Sequence, residues 1–195
     1  QGGTAIGNAS TTTDASMSSP GTPTRAGYTF DGWYTAASAG TLVTFPYAHG
    51  QTGDFTLYAQ WTTNTLTVTT DEQGGTAIGN ASTTTGASML SPGTPTRAGY
   101  TFAGWYAAAS GGSAITFPYA HGRTSDFTLF ARWTANTLSV SYDANGGTSP
   151  SGGVISTTTG STLSSLATTT RAGYGFTGWF TAASGGTQVT TSAGH

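Results

Sequence analysis

The stretch "TRAGYTFDGWY" fills residues 24–34, and close copies return as "TRAGYTFAGWY" at 96–106 and "TRAGYGFTGWF" at 170–180. The phrase is built of glycine, threonine and aromatic residues, whereas a catalytic site is normally assembled once per domain from converging polar groups. Repetition of an aromatic phrase therefore points to a repeated core. Inside the phrase the alternation has period two, so Tyr100 and Phe102 share one face of a strand. Gly104 then interrupts the alternation and offers a bulge that re-aims Trp105.

Working outward, a shift of 72 aligns residues 1–72 with 73–144, and 55 of the 72 pairs are identical. Differences are often like for like, as in Val43 with Ile115 and Tyr58 with Phe130. The third copy slips by two, since Trp105 and Trp179 lie 74 residues apart. A unit runs from the strand before a Gly-Gly turn, as in "NTLSVSYDANGG" (136–147), to the strand "DFTLFARW" (126–133). This frame gives three repeat units: 1–63 without its opening strand, 64–135 complete, and 136–195 without its closing strand. The expectation is either a window from a longer array or units that complete one another between chains.

The rest of the unit reads as strands and turns, with a loop over "AAASGGS" (107–113) that has room for one helical turn. "NTLTVTT" (64–70) places Leu66 and Val68 on one face with threonines opposite. "DFTLFARW" sets Phe127, Leu129, Ala131 and Trp133 against Asp126, Thr128, Phe130 and Arg132. The prolines of "SPGTPTRAG" (91–99) exclude a central strand. A unit of ~70 residues buries only about 60% of its unfolded surface, and large aromatics, burying ~150–250 Å² each, compensate. The expected core is Tyr28, Phe30, Trp33, Leu57 and Trp61 in the first copy, Tyr100, Phe102, Trp105, Leu129 and Trp133 in the second, and Tyr174, Phe176 and Trp179 in the third. Tyr58, Tyr106, Tyr119 and Phe130 form the expected contact face.

Composition removes several function classes. Charged residues make up 6% of the chain, against roughly a quarter in an ordinary domain. All five cations are arginines, so there is no lysine for Schiff bases, phosphate loops or isopeptide links. A net charge of −2 gives no basic track for nucleic acid. Zero cysteines exclude disulfides and thiolate sites. No apolar run approaches the ~20 residues of a membrane span. Five tryptophans, nine tyrosines and nine phenylalanines argue for a folded chain.

Candidate chemistry is thin. His49, His121 and His195 occur once per unit, while a metal site needs three or four converging donors; a turn position after "FPYA" explains them. Asp143 and Asn145 beside Gly146 and Gly147 carry oxygen donors, but hairpin chemistry accounts for the same letters. A serine nucleophile lacks a base and an orienting partner, and the complete unit offers only Asp71, Glu72 and Asp126 for paired carboxylates. Arg25, Arg97 and Arg171 fit stems laid on aromatic faces or bonds to turn carbonyls. Asn8 and Asn80 satisfy a glycosylation sequon. The expectation is no catalytic residue, no cofactor and no metal.

"PTRAGYTFDGWYTAASAGTLVTF" (23–45) followed by "FTLYAQW" (55–61) resembles the Listeria–Bacteroides repeat, the family of B-repeat-like modules of bacterial surface proteins. In the middle unit the matching landmarks are Pro95, Arg97, Gly99, Tyr100, Phe102, Gly104, Trp105, Tyr106, Leu129, Ala131 and Trp133. The resemblance spans essentially the whole chain, with departures at Gly175, Thr177 and Phe180. It implies a mainly β fold (α+β being the variant) of small β-grasp-like units, secreted or held at the cell surface, without enzymatic activity. The expected function is a structural stalk, adhesin segment or fibre-forming subunit, and the alternative is a carbohydrate- or host-receptor-binding module. Expected partners are neighbouring repeat units or identical chains joined head to tail by strand complementation, or else a host or glycan surface, with no nucleic acid.

Overall fold

The computed structural model describes residues 2–150 and 153–192. Among them the regular structure is entirely β, and no helix forms, the loop 107–113 included. The strands are β1 (Ser16–Met17), β2 (Tyr28–Tyr34), β3 (Tyr47–Ala48), β4 (Tyr58–Thr63), β5 (Thr65–Asp71), β6 (Ala81–Thr84), β7 (Ser88–Met89), β8 (Tyr100–Tyr106), β9 (Tyr119–Ala120), β10 (Phe127–Ala135), β11 (Thr137–Val140) and β12 (Ile155–Thr158). The chain divides into two compact units. One comprises Gln1–Asp71, Ala77–Gly93 and Trp105–Phe130, and the other Glu72–Thr76, Thr94–Gly104 and Ala131–His195.

The repeated phrase becomes β2 in the first copy and β8 in the second. β2 pairs antiparallel with β4, and the register shifts between Phe30 and Gly32. Phe30 and Trp33 are an odd number of residues apart, so a regular strand would send them to opposite faces. The extra residue of the bulge restores them to one face, and their rings meet edge to face at 5.6 Å, with Trp61 of β4 at 5.3 Å from Phe30. Gly32 carries the bulge at φ 137°, which a side chain rarely tolerates.

The second copy adds a four-stranded sheet in the order β6-β5-β10-β8. Its central pair is parallel, Phe127 of β10 facing Val68 of β5 and Phe130 facing Asp71. β5 pairs antiparallel with β6 on its other edge, Thr65 facing Thr84. Flanked on both edges, β5 buries Leu66 and Val68 and turns Thr65, Thr67 and Thr69 outward, and Leu129 and Ala131 of β10 are likewise buried. Two-stranded pairs β1–β3 and β7–β9, which nothing in the alternation announces, close the smaller loops.

The core also contains Val43, Met89, Pro95 and Leu163. Of the expected core, Trp105 and Leu129 are buried, while Tyr28, Phe30, Trp33, Leu57, Trp61, Tyr100, Phe102, Trp133 and Trp179 are half-buried. Tyr174 and Phe176 depart from expectation: they are 68% and 49% exposed. The reason is local, because residues 175–179 form no strand and pair with none among the described residues. The phrase there has its aromatics but no partner strand to cover them.

Candidate functional site

His49 and His121, and the arginines Arg25, Arg97 and Arg171, contact groups of the repeat that carries them. His49 and His121 are buried. Each accepts a hydrogen bond at Nδ1 from the backbone N–H two residues on, Gln51 and Arg123 respectively, at 3.0 Å. That acceptor role leaves the proton of a neutral imidazole on Nε2, which lies 3.3 Å from Thr11 Oγ1 and from Thr83 Oγ1. The rings pack on Phe55 at 4.9 Å and on Phe127 at 5.1 Å. Both nitrogens are therefore occupied, and among the described residues no three His, Cys, Asp or Glu side chains gather as a metal site would require. His195 lies outside the described residues.

The arginines and tryptophans hold backbone in the same manner in successive copies. The guanidinium of Arg25 sits 3.6 Å over Tyr28, that of Arg97 4.0 Å over Tyr100 and that of Arg171 4.3 Å over Tyr174. Arg97 Nη1 donates to Gln73 O, and Arg171 Nη1 to Asn145 O, both at 3.0 Å. These contacts are stems on aromatics and bonds to turn carbonyls, not an anion site. The indole N–H of Trp33 donates to Gly21 O at 2.9 Å, that of Trp105 to Gly93 O at 2.8 Å and that of Trp179 to Ala167 O at 2.8 Å. In the first two copies the bond pins the Pro- and Thr-rich segment to the aromatic strand, and in the third it ties Ala167, beside the threonines 168–170, to a segment that forms no strand. The expected contact residues Tyr58, Tyr106, Tyr119 and Phe130 are all half-buried.

The feature that periodicity missed is the junction between copies. One residue, Asn64, separates β4 from β5, and one residue, Asn136, separates β10 from β11. Asn64 N donates to Gly27 O at 2.9 Å and its O accepts from Thr85 N at 3.0 Å. Its Oδ1 accepts from Thr29 Oγ1 at 2.8 Å. Asn136 repeats all three bonds, with Gly99 O at 2.9 Å, Thr159 N at 3.0 Å and Thr101 Oγ1 at 2.7 Å. A single asparagine thus fastens the start of one copy's aromatic strand to the Thr-Gly turn of the next. The fit is close: a Cβ on Gly27 would stand 2.6 Å from Thr85 Oγ1, and one on Gly99 would stand 2.5 Å from Thr159 Cγ2. The signal was present as "NTL" at 64–66 and 136–138 and "TTTG" at 83–86 and 157–160. Its meaning depends on partners some twenty and thirty-five residues away.

Comparison with known proteins agrees with this serial build. The Listeria-Bacteroides repeat domain matches three times, at residues 1–60, 67–132 and 139–195. The chain belongs to that family. Internalin H of Listeria monocytogenes serovar 1/2a is 39% identical over 117 residues, covering 60% of this chain and 21% of the relative. From Evansella cellulosilytica, a protein named "Putative Gly-rich membrane protein" is 30% identical over 146 residues, 75% of this chain and 17% of the relative. A second from that organism, named "Putative membrane protein", is 28% identical over 183 residues, 92% of this chain and 27% of the relative. The chain therefore spans about a quarter or less of the relatives it matches. No helix among the described residues is long and apolar enough to cross a membrane.

Proposed function

We propose that this chain is a non-enzymatic spacer at the bacterial cell surface, in which small β-grasp-like repeats framed as 1–63, 64–135 and 136–195 are coupled in series as a stalk or adhesin segment. The observation that carries the reading is the asparagine junction, built twice with the same three hydrogen bonds. A one-residue link bonded on three sides holds direction from copy to copy, whereas a flexible linker of several residues would not. The parallel pairing of opening strand β5 with closing strand β10 supports the frame, and the strand order with a parallel centre supports the β-grasp-like description. The lack of enzymatic activity is supported by the use of histidines, arginines and tryptophans as internal fasteners. Surface location is supported by family membership and by the names of the relatives. Partners are neighbouring repeats or identical chains joined through strands.

The test is length. With the chain inserted between a cell anchor and an unrelated binding tip, adhesion of the tip should rise with the number of repeats and survive replacement by an unrelated rigid module of equal length. The second reading, a carbohydrate- or host-receptor-binding module, is favoured by Tyr174, Phe176 and Phe180, which are exposed. Under that reading the purified chain alone blocks adhesion, and the rigid substitute fails.

A further inference from the structure

The four-stranded sheet ends on β6, whose one ladder partner among the described residues is β5. β6 lies in the middle copy, with described residues of the copies before and after it. The direction of its backbone groups follows from two bonds. Thr85 N donates to Asn64 O at 3.0 Å, so by antiparallel alternation residues 81 and 83 turn their N–H and C=O toward β5, and residues 82 and 84 turn theirs away. Thr67, which faces Ser82, agrees with this phase: its N–H turns away from β6 and donates to Asp126 Oδ1 at 2.8 Å. Of the outward groups, Thr84 O accepts from Ala87 N at 3.1 Å. Among the described residues Ser82 N–H, Ser82 C=O and Thr84 N–H meet no partner. The opposite end of the sheet is covered, since Ile115 N donates to Trp105 O of β8 at 2.7 Å.

The third copy repeats this edge. β12 pairs only with β11 among the described residues, Thr159 N donates to Asn136 O at 3.0 Å, and Thr158 O accepts from Ser161 N at 2.9 Å. By the shift of 74, Ser156 stands there for Ser82, and both are exposed. In the second copy β10 takes the other edge of β5, so neither β6 nor β12 lies where a closing strand sits. Open edges are ordinarily blunted by charge, proline or a bulge. These two read Ala-Ser-Thr-Thr and Ile-Ser-Thr-Thr, with no proline and no register shift. No charged residue occurs in 73–96 or in 144–170. Shortness is the one protection they keep. An open groove of about 570 Å³, lined by 81–84 and 87–91, leaves β6 accessible.

We infer that this edge is a lateral docking site for the same edge of a second chain, the two strands running antiparallel across a two-fold axis. The strand is its own complement. With Ser82 opposite the partner's Ser82, each N–H donates to the other's C=O, and Thr84 N–H meets the carbonyl of the partner's Asn80. An uncharged edge has nothing to steer a charged partner, whereas backbone pairing asks only for a second open edge of matching phase. The contact joins chains side by side, while the spacer reading joins repeats end to end, and it does not rest on that reading.

The experiment is sedimentation velocity on the 195-residue chain over a concentration series, with backbone amide exchange as the second readout. Association that rises with concentration is expected, with exchange slowed at Ser82, Thr84, Ser156 and Thr158. Ser82→Pro with Ser156→Pro removes the outward N–H groups and leaves the bonds to β5 and β11 in place; this chain should keep its tryptophan emission and stay monomeric. Ser82→Lys with Ser156→Lys changes only exposed side chains and should weaken association up to about 5-fold per paired edge, as should aspartate at both positions, because like charges then stand opposite each other. Mixing the Lys chain with the Asp chain should restore association. A monomer at every concentration, association undiminished in the Pro or Lys chain, or no recovery in the mixture would overturn the assignment. The adhesion-length test needs no pairing of chains, so failure here leaves the spacer reading standing.

Discussion

Substitution of alanine for glycine at three equivalent positions isolates the junction from every other effect of the change. Gly27, Gly99 and Gly173 share φ values of 79°, 78° and 78°, so each alanine incurs the same left-handed penalty of about 1–2 kcal/mol. The surroundings differ. At Gly99 the new methyl would lie 2.5 Å from Thr159 Cγ2 and 2.8 Å from Thr159 Oγ1, and at Gly27 it would lie 2.6 and 2.7 Å from Thr85 and 2.9 Å from Thr124 Cβ. At Gly173 nothing stands within 4 Å. Forcing a methyl into a closed contact costs roughly 1–3 kcal/mol more. Gly27→Ala and Gly99→Ala should therefore destabilise by about 2–5 kcal/mol, and Gly173→Ala by only about 1–2 kcal/mol. Urea unfolding followed by tryptophan emission reads the difference. Adding Thr159→Ala to Gly99→Ala should recover most of the excess, because the two residues share one contact. Equal losses at Gly99 and Gly173, or no recovery in the double variant, would refute the junction.

Other outcomes follow from the same contacts. Asn136→Ala removes the acceptor for Thr101 Oγ1 and should cost about 0.5–1.5 kcal/mol and speed protease cleavage near 135–137, while Asn136→Asp, which keeps the oxygen, should change cleavage little. Leu129→Ala should cost about 2–5 kcal/mol in urea unfolding, whereas Tyr174→Ala should stay within ~0.5 kcal/mol. His121→Ala should lower the thermal midpoint by leaving the Arg123 N–H unpaired and Phe127 uncovered, and a chelator should leave the midpoint of the unaltered chain unchanged. A midpoint that falls with chelator would show that the histidines hold metal.

Much of the fold was legible because its determinants are local. Period two identified β5 and β10 and the buried side of each, and an out-of-phase glycine marked the bulge that brings Phe30 and Trp33 together. The arginines were legible as stems on aromatic faces or donors to turn carbonyls, and the structure shows both, the faces being those of the tyrosines three places on. What escaped depends on partners far along the chain. Asn64 looks like an ordinary strand opener until Gly27, Thr29 and Thr85 surround it. His49 and His121 read as turn residues, yet each is buried by a phenylalanine six positions away and a threonine thirty-eight away. Alternation also predicts which way Tyr174 and Phe176 point along their segment, but not whether a neighbouring strand lies over them.

The most direct test of the serial, folded spacer is to pull single molecules of the chain between two handles. The account expects the complete copy, 64–135, to open in one discrete event that releases ~20–25 nm of chain, from ~72 residues at up to ~3.5 Å each. Featureless extension with no such step would contradict it.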